Sequence, residues 1–149
     1  MAKKISIKIS LIFLCFMMMI PFAGCSSGDA DKEFIDFAEI AAEDYLIAVN
    51  NRDFNAFSKN LSKEMKELLP EAEFLNFVNH QIEGIIGNYV ENSKDFIKTE
   101  KESGYIWVIY NAKYTDEPAG VEVKIVLQKV DGEIKIAGSW FDSPKLRGE

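Results

Sequence analysis

The chain has 149 residues, 48% hydrophobic and 28% charged, which suits one globular domain and excludes collagen-like, low-complexity and wholly disordered chains. Its 24 acidic residues outnumber its 17 basic ones, for a formal charge of −7. A surface of that sign repels phosphate backbones and anionic headgroups, which argues against nucleic-acid binding and against membrane attachment through a basic surface.

The N-terminal segment has the three-part layout of a secretory signal. Lys3, Lys4 and Lys8 precede an uninterrupted apolar run at 11–20, and Pro21 and small residues follow it. Ten apolar residues are too few to span a bilayer, whose core needs about 20 residues of helix. We therefore expect residues 1–24 to direct export and to be removed. Because three lysines leave with them, 14 basic and 24 acidic residues remain, for a charge of −10.

The segment ends in Phe22-Ala23-Gly24-Cys25, which resembles the lipobox of prokaryotic lipoproteins, with Phe22 where the family usually has Leu. The resemblance implies cleavage between Gly24 and Cys25 and a diacylglyceryl thioether on Cys25. It also implies anchoring in the cell membrane, on the extracytoplasmic side, by two or more acyl chains. The alternative is an ordinary secretory signal with Cys25 incidental. Since Cys15 leaves with the leader, the mature chain has no cysteine pair for a disulfide or a zinc cluster.

The mature chain is predicted to begin with a short tether followed by helices. Residues 25–30 are small and polar, which predicts a flexible tether in front of a domain at 31–149. From 31 to 50, apolar residues recur at helical spacing with acidic residues opposite, which predicts an amphipathic helix. Asp53 and Ser62 are suited to cap two further short helices.

The pattern then changes from helical to strand spacing. Residues 71–86 predict another helix, with Gly84 and Gly87 to terminate it. Alternation beyond it predicts four strands, at 93–101, 105–114, 121–130 and 133–142, with a tight Asp131-Gly132 hairpin turn between the last two. The predicted fold class is therefore α+β, with N-terminal helices packed on a curved antiparallel sheet of four or slightly more strands.

The sheet face that points to the helices carries several side chains with a polar tip. Closing the last hairpin on its Asp-Gly turn sets Leu127 opposite Ile136 and Val123 opposite Trp140, so Trp140 is expected to point inward. The candidate lining of a pocket for a small apolar ligand is Tyr45, Asp95, Tyr110, Tyr114 and Trp140. The same residues can equally form the core.

The opposite face of the sheet is predicted to be unusually apolar. With Glu100 set opposite Tyr105 in the first hairpin, apolar residues form rows across the strands on this face. Such a patch with a charged rim is a candidate interface, made of Phe96, Trp107, Ile109, Val126, Ala137 and Phe141. The alternative is that long lysine stems cover single apolar residues.

Several local patterns together resemble the nuclear-transport-factor-2-like superfamily. They are a long helix, the run Asn-Arg-Asp-Phe-Asn-Ala-Phe at 51–57, the run Leu-Ser-Lys-Glu-Met at 61–65, Gly87, and a meander that ends in Trp140-Phe141. Within the superfamily the chain is similar to a domain-of-unknown-function family of exported prokaryotic proteins, lipoproteins among them. The resemblance implies a curved sheet wrapped around a long helix, a conical cavity, and dimerisation through the outer sheet face.

Sequence motifs for catalysis or cofactor binding are absent. The chain lacks a P-loop, a dinucleotide fingerprint, HExxH, paired CxxC and GxSxG, and its one histidine, His80, lies off the apolar stripe of its helix, which favours exposure. Enzymes of the superfamily place an acid and an aromatic hydroxyl inside the cone. The matching candidates would be Asp95 and Tyr110, with Tyr45 and Trp140 beside them. An inward carboxylate at a sheet edge is more often hydrogen-bonded than a tuned base, so no catalytic residue, metal or cofactor is assigned.

The sequence thus predicts a lipid-anchored extracytoplasmic protein that acts as a non-enzymatic binding or assembly module. Its expected partners are the membrane, through lipid on Cys25, a second copy through the outer sheet face, and an unidentified protein or small apolar ligand. The alternatives are a carrier that holds an apolar ligand in the cone and, less favoured, a proton-transfer enzyme of the isomerase or dehydratase type.

Overall fold

The fold is described by a computed structural model for residues 27–149, with side chains from residue 31 onward. The predicted leader and Cys25 lie outside this part. The helices are α1 (Ser27–Asn51), α2 (Phe54–Ser58), α3 (Lys63–Leu68), α4 (Glu71–Phe77), a π-helical segment (Val78–Glu83), α5 (Gly84–Ile86) and α6 (Pro144–Arg147). The strands are β1 (Asp95–Glu102), β2 (Tyr105–Tyr114), β3 (Glu117–Val130) and β4 (Glu133–Asp142). The predicted α+β class is confirmed.

The long helix α1 starts earlier than the predicted domain boundary at Asp31. Helical backbone begins at Ser27, so residues 27–30 of the predicted tether are helical. Just inside this end, Asp31 pairs with Lys101 at 2.5 Å and Glu33 pairs with Lys129 at 3.0 Å. These contacts hold the first described turns of α1 against the sheet.

Both predicted helix caps are confirmed. The Asp53 carboxylate accepts a hydrogen bond from the Ala56 N–H at 3.0 Å, and the Ser62 hydroxyl accepts one from the Met65 N–H at 3.2 Å. Each bond satisfies one of the N–H groups that the first turn of a helix leaves without a partner.

The helix predicted at 71–86 has the expected extent but not a uniform geometry. Its middle is π-helical, which the sequence did not predict. Gly84 does not terminate it, because the helix continues to Ile86. Gly87 does, at a φ of 78°, a region that favours glycine.

The sheet is antiparallel, with its strands in the order β1-β2-β3-β4. The Asp131-Gly132 turn is confirmed, with positive φ at both residues, 51° and 84°, as a type I′ turn requires. β3 begins at Glu117, so Thr115-Asp116 makes the preceding turn and Pro118 lies in the strand.

Two bulges determine which side chains point toward the helices. In β4 the predicted pair of Leu127 with Ile136 is confirmed, but Ala137 is an extra residue, so Val123 pairs with Phe141 and not with Trp140. In β1 the extra residue is Ile97. One added residue reverses the side on which every later side chain lies.

The core lies between α1 and the inner face of the sheet. Small residues on α1, Ala38, Ala41 and Ala42, are buried against it and permit close approach. An aromatic cluster closes one side, with the Phe57 ring 4.2 Å from Phe74 and 4.7 Å from Tyr45 between centroids.

Candidate functional site

A groove lies between the helical layer and the end of β4. Its volume is about 530 Å³, within the range typical of small-ligand sites. It is lined by Phe77, Gln81, Ile82, Ile85, Ser139, Trp140, Phe141 and Leu146, which we call the apolar groove. None of these side chains carries a charge, in a chain that is 28% charged.

The π-helical segment forms one wall of the apolar groove and carries Gln81 and Ile82. A π turn is wider than an α turn, and such turns are frequent at functional sites. Gly84 allows it here, because a Cβ at this position would lie 2.8 Å from the Asn79 carbonyl oxygen. Ile82 is buried, whereas Gln81 is exposed at the rim.

The bulge at Ala137 forms the opposite wall. It turns Ser139 and Phe141 toward the helices and leaves Trp140 on the other side of the strand, where 62% of it is exposed. The Phe141 ring packs on Phe77, with centroids 5.9 Å apart. The prediction that Trp140 points inward was wrong, and it is a rim residue of the apolar groove.

The hydroxyl of Ser139, which lines the apolar groove, is hydrogen-bonded to the buried hydroxyl of Tyr45. Tyr45 Oη and Ser139 Oγ are 2.6 Å apart, and either can donate the hydrogen bond. Burial raises the pKa of Tyr45 to about 12, although the bond to Ser139 acts in the opposite direction. The pair is therefore neutral at physiological pH, which suits hydrogen bonding to an uncharged ligand better than proton abstraction.

The residues predicted to line a pocket are only partly brought together. Tyr45, Tyr110 and Tyr114 are all buried in the core on the inner side. Asp95 pairs with Asn111 on the outer face and is exposed, so its predicted place beside Tyr110 was wrong; the bulge at Ile97 is the reason. Burial raises the pKa of Tyr110 and of Tyr114 well above the usual tyrosine value.

An ionic cluster that the sequence did not reveal closes the edge of the inner face. The Lys94 ammonium lies 2.9 Å from a Glu39 oxygen and 3.6 Å from a Glu43 oxygen, and its side chain is only 9% exposed. Tyr89 donates a hydrogen bond to Glu43 at 2.9 Å. The helical spacing of Glu39 and Glu43 was the only sequence signal, and acids at that spacing are usually solvated.

The outer sheet face carries part of the predicted interface. Trp107, Ile109 and Val126 do lie on it. One row of side chains across the four strands is Lys98, Ile109, Lys124 and Trp140. A second row is Glu100, Trp107, Val126 and Gly138. Ala137 is the extra bulge residue beside the second row.

Two residues of the predicted interface were misplaced. Phe96 pairs with Tyr110 and Phe141 with Val123, which puts both on the inner side. Both errors come from the bulges at Ile97 and Ala137.

Three remaining features concern His80, possible metal ligands and membrane-spanning helices. His80 is exposed, as predicted. Among the side chains described, those of 31–149, no three His, Cys, Asp or Glu residues come together in a way that could hold a metal ion. No helix in the same part of the chain combines the length and the apolar character needed to cross a membrane.

Comparison of the chain with known protein families finds no family model that matches it. Comparison with curated proteins finds no match either. Function is therefore inferred from the apolar groove and from the sequence of the N-terminal segment.

Proposed function

We propose that the chain is a lipid-anchored extracytoplasmic binding module of the nuclear-transport-factor-2-like type, which takes an uncharged, largely apolar group into the apolar groove. The observation that carries this proposal is the groove itself. It is lined by three aromatic and three aliphatic side chains, by Gln81 and by the hydroxyl of Ser139, and it has no charged lining residue.

The aromatic residues favour a flat or ring-shaped apolar group as the bound species. Phe77, Trp140 and Phe141 can present faces and edges to it, and a buried aromatic contact contributes about 0.5–1.5 kcal/mol beyond the area it covers. Gln81 at the rim and Ser139 at the inner side can orient a single polar atom of the ligand.

Binding can be tested with N-phenyl-1-naphthylamine, an uncharged dye whose fluorescence rises in apolar surroundings. We expect the soluble chain beginning at Ser26 to increase its fluorescence and Trp140→Ala to abolish the increase. Leu68→Ala is the matched control, because Leu68 is also a largely exposed apolar residue, 75% against 62% for Trp140, and it lies outside the apolar groove. Equal dye binding by both variants would remove the groove from consideration. Native mass spectrometry of the same protein would reveal a ligand retained from the cell.

The anchor is tested separately. In the producing cell, the full chain should fractionate with membranes and carry the added mass of a diacylglyceryl group on Cys25, and Cys25→Ala should be recovered without either property. An unmodified Cys25 in the membrane fraction would contradict lipid anchoring.

Self-association through the outer sheet face is the second candidate. It is favoured by Trp107 and Val126, which are paired on this face and are both partly exposed. Trp107→Glu should then convert a dimer to a folded monomer. A dimer that survives this substitution would count against the face.

A further inference from the structure

The two ends of the domain lie at different distances from the start of α1. The start of α1 lies beside the tips of both the β1–β2 and the β3–β4 hairpins. Two ion pairs hold it there, Asp31 with Lys101 at 2.5 Å and Glu33 with Lys129 at 3.0 Å. We call these tips, residues 101–105 and 129–133, together with the start of α1, the hairpin end.

The connection from Cys25 to the hairpin end is short. Cys25 precedes the first described residue of α1, Ser27, by two positions, which span at most about 7 Å. From Ser27 to Asp31 the helix rises about 6 Å. A lipid on Cys25 would therefore hold Asp31 within about 13 Å of the point of acyl attachment.

The apolar groove is at the other end. Along α1, Tyr45 lies 14 residues beyond Asp31, or about 21 Å, and it contacts Ser139 at the groove. Along β4, Trp140 lies seven residues beyond Glu133, which is about 23 Å in a regular strand. The bulge at Ala137 makes the actual distance slightly shorter. Two independent elements thus give the same separation of about 20 Å.

The exposed residues of the hairpin end suit the boundary between lipid and water. Tyr105 and Val130 are 39% and 40% exposed at the two tips, and Lys101 and Lys129 lie close by. Tyrosine is enriched at membrane interfaces. Because Lys101 and Lys129 are paired with Asp31 and Glu33, and Glu102, Asp131 and Glu133 are exposed at the same tips, this end suits a bilayer without net negative charge.

We infer that the hairpin end lies against the lipid bilayer and that the apolar groove opens toward the aqueous side, about 20 Å away. This inference rests on the lipid anchor of the proposed function. It deepens that function by specifying the source of the bound group, which approaches from the aqueous side and not from the bilayer that anchors the protein.

The orientation can be measured on the lipidated full chain in phosphatidylcholine vesicles that contain a phospholipid with a nitroxide on its headgroup. Because the lipid blocks the only cysteine of the mature chain, Tyr105→Cys, Val130→Cys and Gln81→Cys each provide one site for a fluorophore. We expect the two tip probes to lose fluorescence as the nitroxide content rises. The probe at Gln81, on the rim of the apolar groove, should retain its signal.

A longer connection is the matched control. Insertion of about 20 glycine and serine residues between Ser26 and Ser27 adds a span of about 25 Å and should restore the fluorescence of both tip probes. Unchanged quenching would show that the short connection is not what holds the two tips at the bilayer.

Failure of the inference is distinguishable from failure of the anchor. Quenching at Gln81 without quenching at the tips, or no quenching in protein that floats with the vesicles, overturns the orientation and leaves the anchor intact. Protein that does not float with the vesicles overturns the anchor, and the orientation with it.

Discussion

The two faces of the sheet consist of the same four strands and differ in what covers them. On the inner face, Val123, Ile125 and Leu127 are fully buried beneath the helices. On the outer face Ile109 is just as buried, at 1% exposed, yet it does not belong to the core cluster. It lies between Lys98 and Lys124.

The two lysines that flank Ile109 on the outer face are each paired with an acid on their own strand. Lys98 pairs with Glu100 at 2.6 Å and Lys124 with Glu122 at 3.0 Å. The position of Ile109 between these lysines favours the alternative interpretation of this face, in which lysine stems cover single apolar residues. Equal burial can thus result from a rigid helical layer or from flexible chains, and the two should respond differently to mutation.

The largest expected difference is between two isoleucines buried on opposite faces. Ile125→Ala should lower the free energy of unfolding by about 4 kcal/mol, because the packed helices cannot fill the cavity. Ile109→Ala should cost about 2 kcal/mol, because the lysine stems can move into the space. Urea unfolding of both variants measures the difference.

Equal losses for the two isoleucine variants would contradict this comparison. They would mean that the outer cover is as rigid as the helical layer. A circular dichroism spectrum unchanged from the parent protein is the control that each variant folds.

The buried phenols of the inner face predict alkaline unfolding. Burial raises the pKa of Tyr45 from 10.0 to about 12, so the folded state retains a proton that the unfolded state loses. The resulting stabilisation of about 3 kcal/mol is present below pH 10 and is lost as the pH rises through 12. Urea midpoints measured between pH 9 and 12 should fall steeply.

Tyr45→Phe isolates the contribution of this one phenol. The variant should lose about 1 kcal/mol at neutral pH, since Ser139 loses its partner, and its stability should fall less steeply above pH 10. An unchanged slope would show that Tyr45 does not contribute to the alkaline transition.

The sequence predicted elements and alternation well, because caps, glycines and apolar spacing are local. Asp53, Ser62, Gly87 and the Asp131-Gly132 turn all act as expected. An error of two residues in strand register does not change the face on which a side chain lies. Glu100 pairs with Trp107, two residues away from the predicted Tyr105, and it therefore stays on the predicted face together with Lys98 and Glu102.

The bulges limited prediction of the candidate site. Side chains in a strand alternate between the two faces, so the face of a residue depends on whether its distance from a reference residue is even or odd. The one extra residue at Ala137 therefore places Trp140 and Phe141 each on the face opposite to the predicted one. Gly138, an isolated glycine in the strand, was the available signal. The π turn and the contact between Tyr45 and Ser139 depend on tertiary packing and had no such local signal.

The same bulge predicts unequal losses at two neighbouring aromatic residues. Phe141→Ala should cost about 2 kcal/mol, because the ring is partly buried against Phe77. Trp140→Ala should cost less than about 0.5 kcal/mol, because the indole is mostly exposed. Thermal or urea unfolding separates the two, and the reverse order would indicate the register without a bulge.

The smallest expected difference in stability is between substitutions of Lys94 and of Lys124, which lie on opposite sides of the sheet. Lys94 is enclosed by Glu39 and Glu43, and its ammonium lies 5.3 Å from the centre of the Tyr110 ring, so Lys94→Ala should cost about 1.5 kcal/mol. The ion pair of Lys124 with Glu122 is partly exposed, and Lys124→Ala should cost at most about 0.5 kcal/mol.

Added salt should weaken the Lys124 pair and leave the Lys94 cluster largely unaffected, because solvent ions screen enclosed charges poorly. Urea unfolding at low and high ionic strength distinguishes them, and a Lys94 loss that disappears in salt would show that this cluster behaves as a surface pair.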